Sequence, residues 1–124
     1  MNGEIIVKNL DRYKAFIDDL VKLRPCVESV WVQENAWPRL PQNEPINQLL
    51  DVLTSEQKSI LSAMLQQARD GGIHDTLAYL NERITLDGLQ IVVQGSELPV
   101  EPFDTELHYD WVCRTQGDEW PDNK

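Results

Sequence analysis

Leu10, Tyr13, Ile17, Leu20 and Val21 recur at helical spacing near the start of the chain, with Phe16 and Leu23 beside them. That period predicts an amphipathic helix, opened by Asn9 as N-cap and stopped near Leu23–Arg24 by Pro25. Pro25 also suits the first position of a following helix, in which Val27, Val30 and Trp31 fall at i, i+3 and i+4. The run Val30-Trp31-Val32 also fits a short strand, since β-branched residues favour sheets, but the helix is the preferred reading. From Trp37 to Pro45, three prolines in eight residues remove donors and fix φ, which argues against regular structure. Ile46, Leu49, Leu50 and Leu53 then mark a short helix. Thr54-Ser55-Glu56-Gln57 forms a capping box, opening a helix whose stripe is Ile60, Leu61, Met64, Leu65 and Ala68. Gly71-Gly72 ends it as a C-cap signal, and Ile73, Leu77, Leu80 and Ile84 mark one more helix up to Gly88.

Past Gly88 the period changes from 3.6 to 2. Leu89 to Gln94 is rich in β-branched residues, Gly95-Ser96 is a turn signal, and Pro99 and Pro102 shape a loop. In Glu106 to Arg114, Leu107, Tyr109, Trp111 and Cys113 share one face of an extended chain, and Glu106, His108, Asp110 and Arg114 the other. The expectation is a half-buried strand there. The fold class is therefore α+β: four to five helices in the N-terminal three-quarters, packed with a C-terminal antiparallel β-hairpin. One domain covers residues 1–124, without repeats, low-complexity tracts or an interdomain linker.

Composition narrows the class without naming an activity. The chain has 124 residues, 41% of them hydrophobic and 26% charged, with a formal net charge of −10. Those values exclude collagen-like, disulfide-scaffold and fully disordered chains. The negative charge argues against direct nucleic-acid binding, which needs clustered Lys and Arg. Basic residues gather only between Lys8 and Arg24, where Asp11, Asp18 and Asp19 accompany them and Asp18/Lys22 sits at i, i+4. Residues 97–124 carry eight acids against two bases, so the last quarter is the more acidic surface, one that can steer a basic partner. Cys26 and Cys113 show no metal-type spacing. No stretch reaches the roughly 18 apolar residues of a membrane span, and the N-terminal apolar run is too short for a signal peptide. The expected setting is the cytoplasm, with no membrane partner and both thiols reduced.

No GxGxxG, Walker A lysine loop, GxSxG, HExxH or CxxC occurs. On a strand, His108 and Asp110 at i, i+2 would point the same way. With His74 from the start of a helix they compose a three-ligand divalent-metal or acid–base set; no other cofactor is implied. Cys113 reads as a core cysteine. Trp37-Pro38-Arg39-Leu40-Pro41 has PxxP spacing, and Trp37 and Trp120 lie beside prolines in irregular segments, where an exposed indole can anchor a protein partner. Asp118 and Glu119 adjoin Trp120 and complete a candidate partner-binding set.

At Ala68-Arg69-Asp70-Gly71-Gly72-Ile73-His74-Asp75 and Glu97-Leu98-Pro99-Val100-Glu101-Pro102-Phe103, at Tyr109-Asp110-Trp111-Val112 and at Gly117-Asp118-Glu119-Trp120-Pro121, the sequence resembles a family of small uncharacterised bacterial proteins. The resemblance runs from the first helix to the tail and implies a bacterial, self-standing domain with no activity attached.

These observations lead to a small acidic binding or regulatory module for a protein partner, a basic one by charge, in the manner of an immunity or antitoxin protein. The rival expectation is a metal-binding or hydrolytic enzyme built on His74, His108 and Asp110. A third is a homo-oligomer formed through the apolar helix faces.

Overall fold

The computed structural model describes residues 3–121, with side chains from Val7 onward. Helix α1 runs from Gly3 to Lys22. Asn9 lies inside it, because no proline interrupts the preceding residues; its Oδ1 accepts from Arg12 Nη1 at 3.1 Å instead of capping. Pro25 ends α1 as expected, and α2 follows at Val27–Glu34, with Cys26 rather than Pro25 at its N-cap. Asn35 closes α2 in the left-handed region at φ 51°, while the Ala36 N–H reaches back to Trp31 O at 2.9 Å, the hydrogen bond of a Schellman end.

The proline-rich segment is more ordered than its composition suggests. Pro41–Asn43 forms a 3₁₀ turn, and α3, Glu44–Val52, takes Pro45 into its first turn, where a missing N–H costs nothing. Pro38 O holds the segment by accepting from Asn43 Nδ2 at 3.0 Å and Asn47 Nδ2 at 3.4 Å.

Helix α4 spans Ser55–Asp87 without a break. Its capping box is formed on both arms: Thr54 Oγ1 accepts from the Gln57 N–H at 3.1 Å, and Gln57 Oε1 from the Thr54 N–H at 2.9 Å. The stop expected at Gly71-Gly72 does not occur. Interior glycine costs about 1 kcal/mol relative to alanine, a penalty rather than a prohibition, and neither glycine takes the positive φ of a C-cap. Gly88 does, at φ 74°, and there the helix ends, the Leu89 N–H reaching back to Arg83 O at 3.1 Å.

A short antiparallel hairpin follows. Its strands are β1, Val92–Val93, and β2, Ser96–Glu97, with Val92 opposite Glu97 and Val93 opposite Ser96. Gln94 and Gly95 turn it with φ of 52° and 79°, the two positive values a tight two-residue hairpin turn requires. The expected second strand, Glu106 to Arg114, is instead α5, Leu107–Thr115. Leu107 and Trp111 satisfy a helical i, i+4 stripe as well as an alternating one, and both are buried on the helix. Gly117 ends α5 at φ 85°, with the Asp118 N–H on Cys113 O and the Gly117 N–H on Arg114 O.

These elements compose a mainly helical α+β fold with two compact units. One is formed by α1 with the chain from Gly72 onward. Its core is Tyr13 and Ile17 on α1, Leu77 on α4, and Leu107 and Trp111 on α5, with Phe16, Leu80, Ile84, Ile91 and Phe103 packed around them. The other unit is Arg24–Gly71. There Val32, Leu50 and Cys26 are buried. Ser29 and Ser62 each donate a hydroxyl to the other's carbonyl, at 2.6 and 3.0 Å. Arg24 binds Asp70 through two bonds of 2.9 and 2.8 Å. Of the stripe expected on this part of α4, Leu61 and Leu65 are partly buried, whereas Ile60 and Met64 are more than half exposed. Among the described residues no helix is long and apolar enough to cross a membrane.

Candidate functional site

The first unit holds three arrangements with chemical potential, and α5 contributes to each. Asp110, in the first turn of α5, is 6% exposed. Its two oxygens are covered by neutral hydroxyls, Tyr13 OH from α1 on Oδ2 and Thr105 Oγ1 on Oδ1. Desolvation pushes its pKa above the ordinary carboxylate value, aided by the charge of Glu101 and opposed by the two hydroxyls and His108. Burial, together with the Asp110 hydrogen bond and charge, drives the Tyr13 phenol far upward, so Tyr13 is a permanent donor.

Asp110 also faces a pocket of about 270 Å³ between α5 and the segments around Phe103 and Trp120. Phe103 and Trp120 stack along it at 5.5 Å and 28°. Trp120 is fixed further: its Nε1–H donates to Asp18 Oδ2 at 3.2 Å, and the Arg114 guanidinium lies 5.0 Å over its ring. Arg114 is itself held by Asp18 through bonds of 2.7 and 3.2 Å and by Asp118 O at 2.7 Å. Burial raises the Asp18 carboxyl, but the Arg114 and Trp120 hydrogen bonds and the Arg114 charge outweigh it, leaving its pKa below the usual range. Trp120 is therefore a half-buried part of the fold rather than a free indole anchor, while Asp118 and Glu119 are exposed beside it.

The second arrangement is an open cleft of about 550 Å³ between the C-terminal half of α4 and the loop leading into α5. Glu82, Glu101, Asp104 and Glu106 line it, with His108 and Asn81, and no Lys or Arg does so among the described residues. Asn81, almost fully buried, fixes the loop by accepting from the Leu107 N–H at 3.0 Å and donating to Glu101 at 3.2 Å. Glu101 and Asp104 both take positive φ, 45° and 61°.

The third is a histidine pair. The rings of His74 on α4 and His108 on α5 meet edge to face at 5.1 Å. His74 Nδ1 lies 3.2 Å from Asp75, and His108 Nε2 3.5 Å from Glu106. The structure thus joins two of the three residues expected to share a metal and leaves out Asp110. Two positions apart on a helix are turned about 200° from each other, so His108 faces His74 while Asp110 faces Tyr13. Among the described residues no group of three or more His, Cys, Asp or Glu side chains is placed to hold a metal ion.

The same rotation moves Cys113 off the core face. It shares the outer side of α5 with Tyr109 and lines the pocket, partly exposed. Both cysteines are free thiols. In the second unit Trp37 packs edge-on against Trp31 at 5.3 Å and is partly buried, an anchor for its own loop.

The sequence reading passed over Tyr13, Thr105 and the cleft carboxylates. The first two carry no signal, because only tertiary packing brings α1 to α5. The carboxylates had one: three acids within Glu101-Pro102-Phe103-Asp104-Thr105-Glu106.

The fold and these sites define a mainly helical α+β protein whose first unit carries an acidic cleft and a compact pocket beside Asp110. The model of a family of unknown function, DUF6547, matches residues 7–122, and the chain belongs to that family. No curated protein and no solved structure matches it.

Proposed function

We propose that this protein is a non-catalytic binding module that takes a basic segment of a protein partner into the acidic cleft. The observation that carries the reading is the convergence of Glu82, Glu101, Asp104 and Glu106 on one open surface with no Lys or Arg on its lining among the described residues. Glu82 has a partner in Arg83 at 2.9 Å, and Glu106 lies 3.5 Å from His108 Nε2. Clustered carboxylates on a chain of net charge −10 create a field that speeds encounter with cationic partners and rejects phosphate backbones. The two free thiols suit a bacterial cytoplasm, where glutathione and thioredoxin keep such groups reduced.

The test compares one triple and one double variant of the full chain against a panel of Arg- and Lys-rich peptides, by fluorescence anisotropy at low and high salt. Glu101→Gln/Asp104→Asn/Glu106→Gln is expected to abolish binding, and Asp118→Asn/Glu119→Gln to leave most of it. Equal losses in both would reduce the effect to net charge; loss only in the second would move the partner surface to the tail.

The His74–His108 ring contact favours a second reading, in which the two imidazoles bind a transition metal. Zinc should then raise the melting temperature by mass action, and His108→Ala should remove the rise. A melting temperature indifferent to zinc would dispose of it.

A further inference from the structure

We propose that the pocket beside Asp110 is a binding site for a small organic ammonium ion, separate from the acidic cleft. Asp110 is a buried carboxylate whose hydrogen-bond donors are two uncharged hydroxyls, those of Tyr13 and Thr105. Burying a carboxylate without a counter-cation is costly. Among the described residues Arg114 is the one Lys or Arg on the lining, and it does not supply it. Arg114 directs its three guanidinium nitrogens to Asp18 and to Asp118 O.

A ligand ammonium would bring the missing charge. Each carboxylate oxygen accepts more than one hydrogen bond, so Asp110 can receive an N–H without releasing Tyr13 or Thr105. The raised pKa of Asp110 fits the same picture, since a bound cation would favour its ionised form.

The walls suit the same ligand. Phe103 and Trp120 stack along the pocket, and each already attracts a cation of the protein: Lys14 lies 5.8 Å from the Phe103 centroid and Arg114 5.0 Å from that of Trp120. Aromatic faces of this kind stabilise ammonium groups that leave water. Glu119 provides a second carboxylate on the lining. A volume of about 270 Å³ lies just under the range for drug-sized ligands. It fits a compact amine rather than a peptide.

The experiment uses the full chain and three matched probes: benzylammonium, benzyl alcohol and benzoate. Binding is followed by the Trp120 indole N–H signal in a two-dimensional NMR titration and by tryptophan fluorescence. Benzylammonium is expected to saturate, with benzyl alcohol at least tenfold weaker and benzoate inert. Asp110→Asn, whose amide can still pair with both hydroxyls, should weaken benzylammonium about tenfold. Cys113→Leu, which fills the pocket and leaves the Asp110 carboxyl in place, should abolish the response and keeps the test decisive if the Asp110 variant unfolds. Equal binding of the alcohol and the ammonium, or full binding in the Cys113→Leu variant, would overturn the assignment.

Discussion

At the scale of single residues, Asp110 and Asp18 show how the packing of α1 on α5 sets two carboxyl groups in opposite states. Asp110 is held by hydroxyls in a dry site and its pKa is raised; Asp18 faces a guanidinium and its pKa is lowered. The linkage signs follow. A raised acid adds stability below its unfolded value, near 4, and that contribution disappears as pH rises through the folded value. A lowered acid adds stability above the unfolded value and loses it as pH falls through the folded one. Asp70, lowered chiefly by the hydrogen bond from Arg24, behaves as Asp18 does. Denaturant titrations should therefore show a gain in stability as pH descends from neutral toward 4, followed by a loss at more acid pH. In Asp110→Asn the gain should be absent and the acid loss retained. Asp18→Ala should cost about 1 kcal/mol, the upper part of the range for a partly exposed pair, and should red-shift tryptophan fluorescence as the Trp120 Nε1–H loses its acceptor. None of this was legible in the sequence, because Tyr13 and Asp110 stand 97 positions apart and no spacing rule joins them.

Among the elements, the ends of helices were easier to read from sequence than their continuity. The Thr54/Gln57 capping box and the stop at Gly88 follow from local hydrogen-bonding rules that need no tertiary contact. Thr54→Ala is expected to cost about 1 kcal/mol in thermal denaturation. Gly71-Gly72 carried the same local signal as Gly88, yet neither takes a positive φ and the helix runs through both. Because an added Cβ at either position meets no atom within 4 Å, Gly71→Ala and Gly72→Ala should each stabilise the protein by up to about 1 kcal/mol. A destabilised variant would mean that the helix bends there in solution. The α5 misreading has a different cause. Leu107, Tyr109, Trp111 and Cys113 alternate perfectly, yet two of them, Leu107 and Trp111, suffice for a helical stripe, and a nine-residue segment cannot separate the two periods. That one reversal turned Asp110 away from His108 and moved Cys113 off the core face.

For the molecule as a whole, charge was the most legible sequence feature. The excess of acid in residues 97–124 includes Glu101, Asp104 and Glu106 as well as Asp118 and Glu119, and the fold gathers the first three with Glu82, which no count along the chain could foresee. Raising the salt from 50 to 500 mM should weaken the capture of a basic peptide steeply, as the screening length contracts from above 10 Å toward a few ångströms. Salt-independent capture would show that apolar contact, not this field, supports the complex.

The chain path of the first unit also governs when it can exist. Its core joins Tyr13 and Ile17 to Leu107 and Trp111, so on the ribosome α1 emerges and waits for nearly the entire remaining chain before its partners are made. The second unit is contiguous, Arg24–Gly71, and meets no such delay. Closing a loop of this length is slow compared with local helix formation. Pulse-labelling hydrogen exchange during refolding should protect amides of α2 and α3 ahead of those of α1 and α5. Simultaneous protection would mean that the two halves of the first unit find each other as fast as neighbours do.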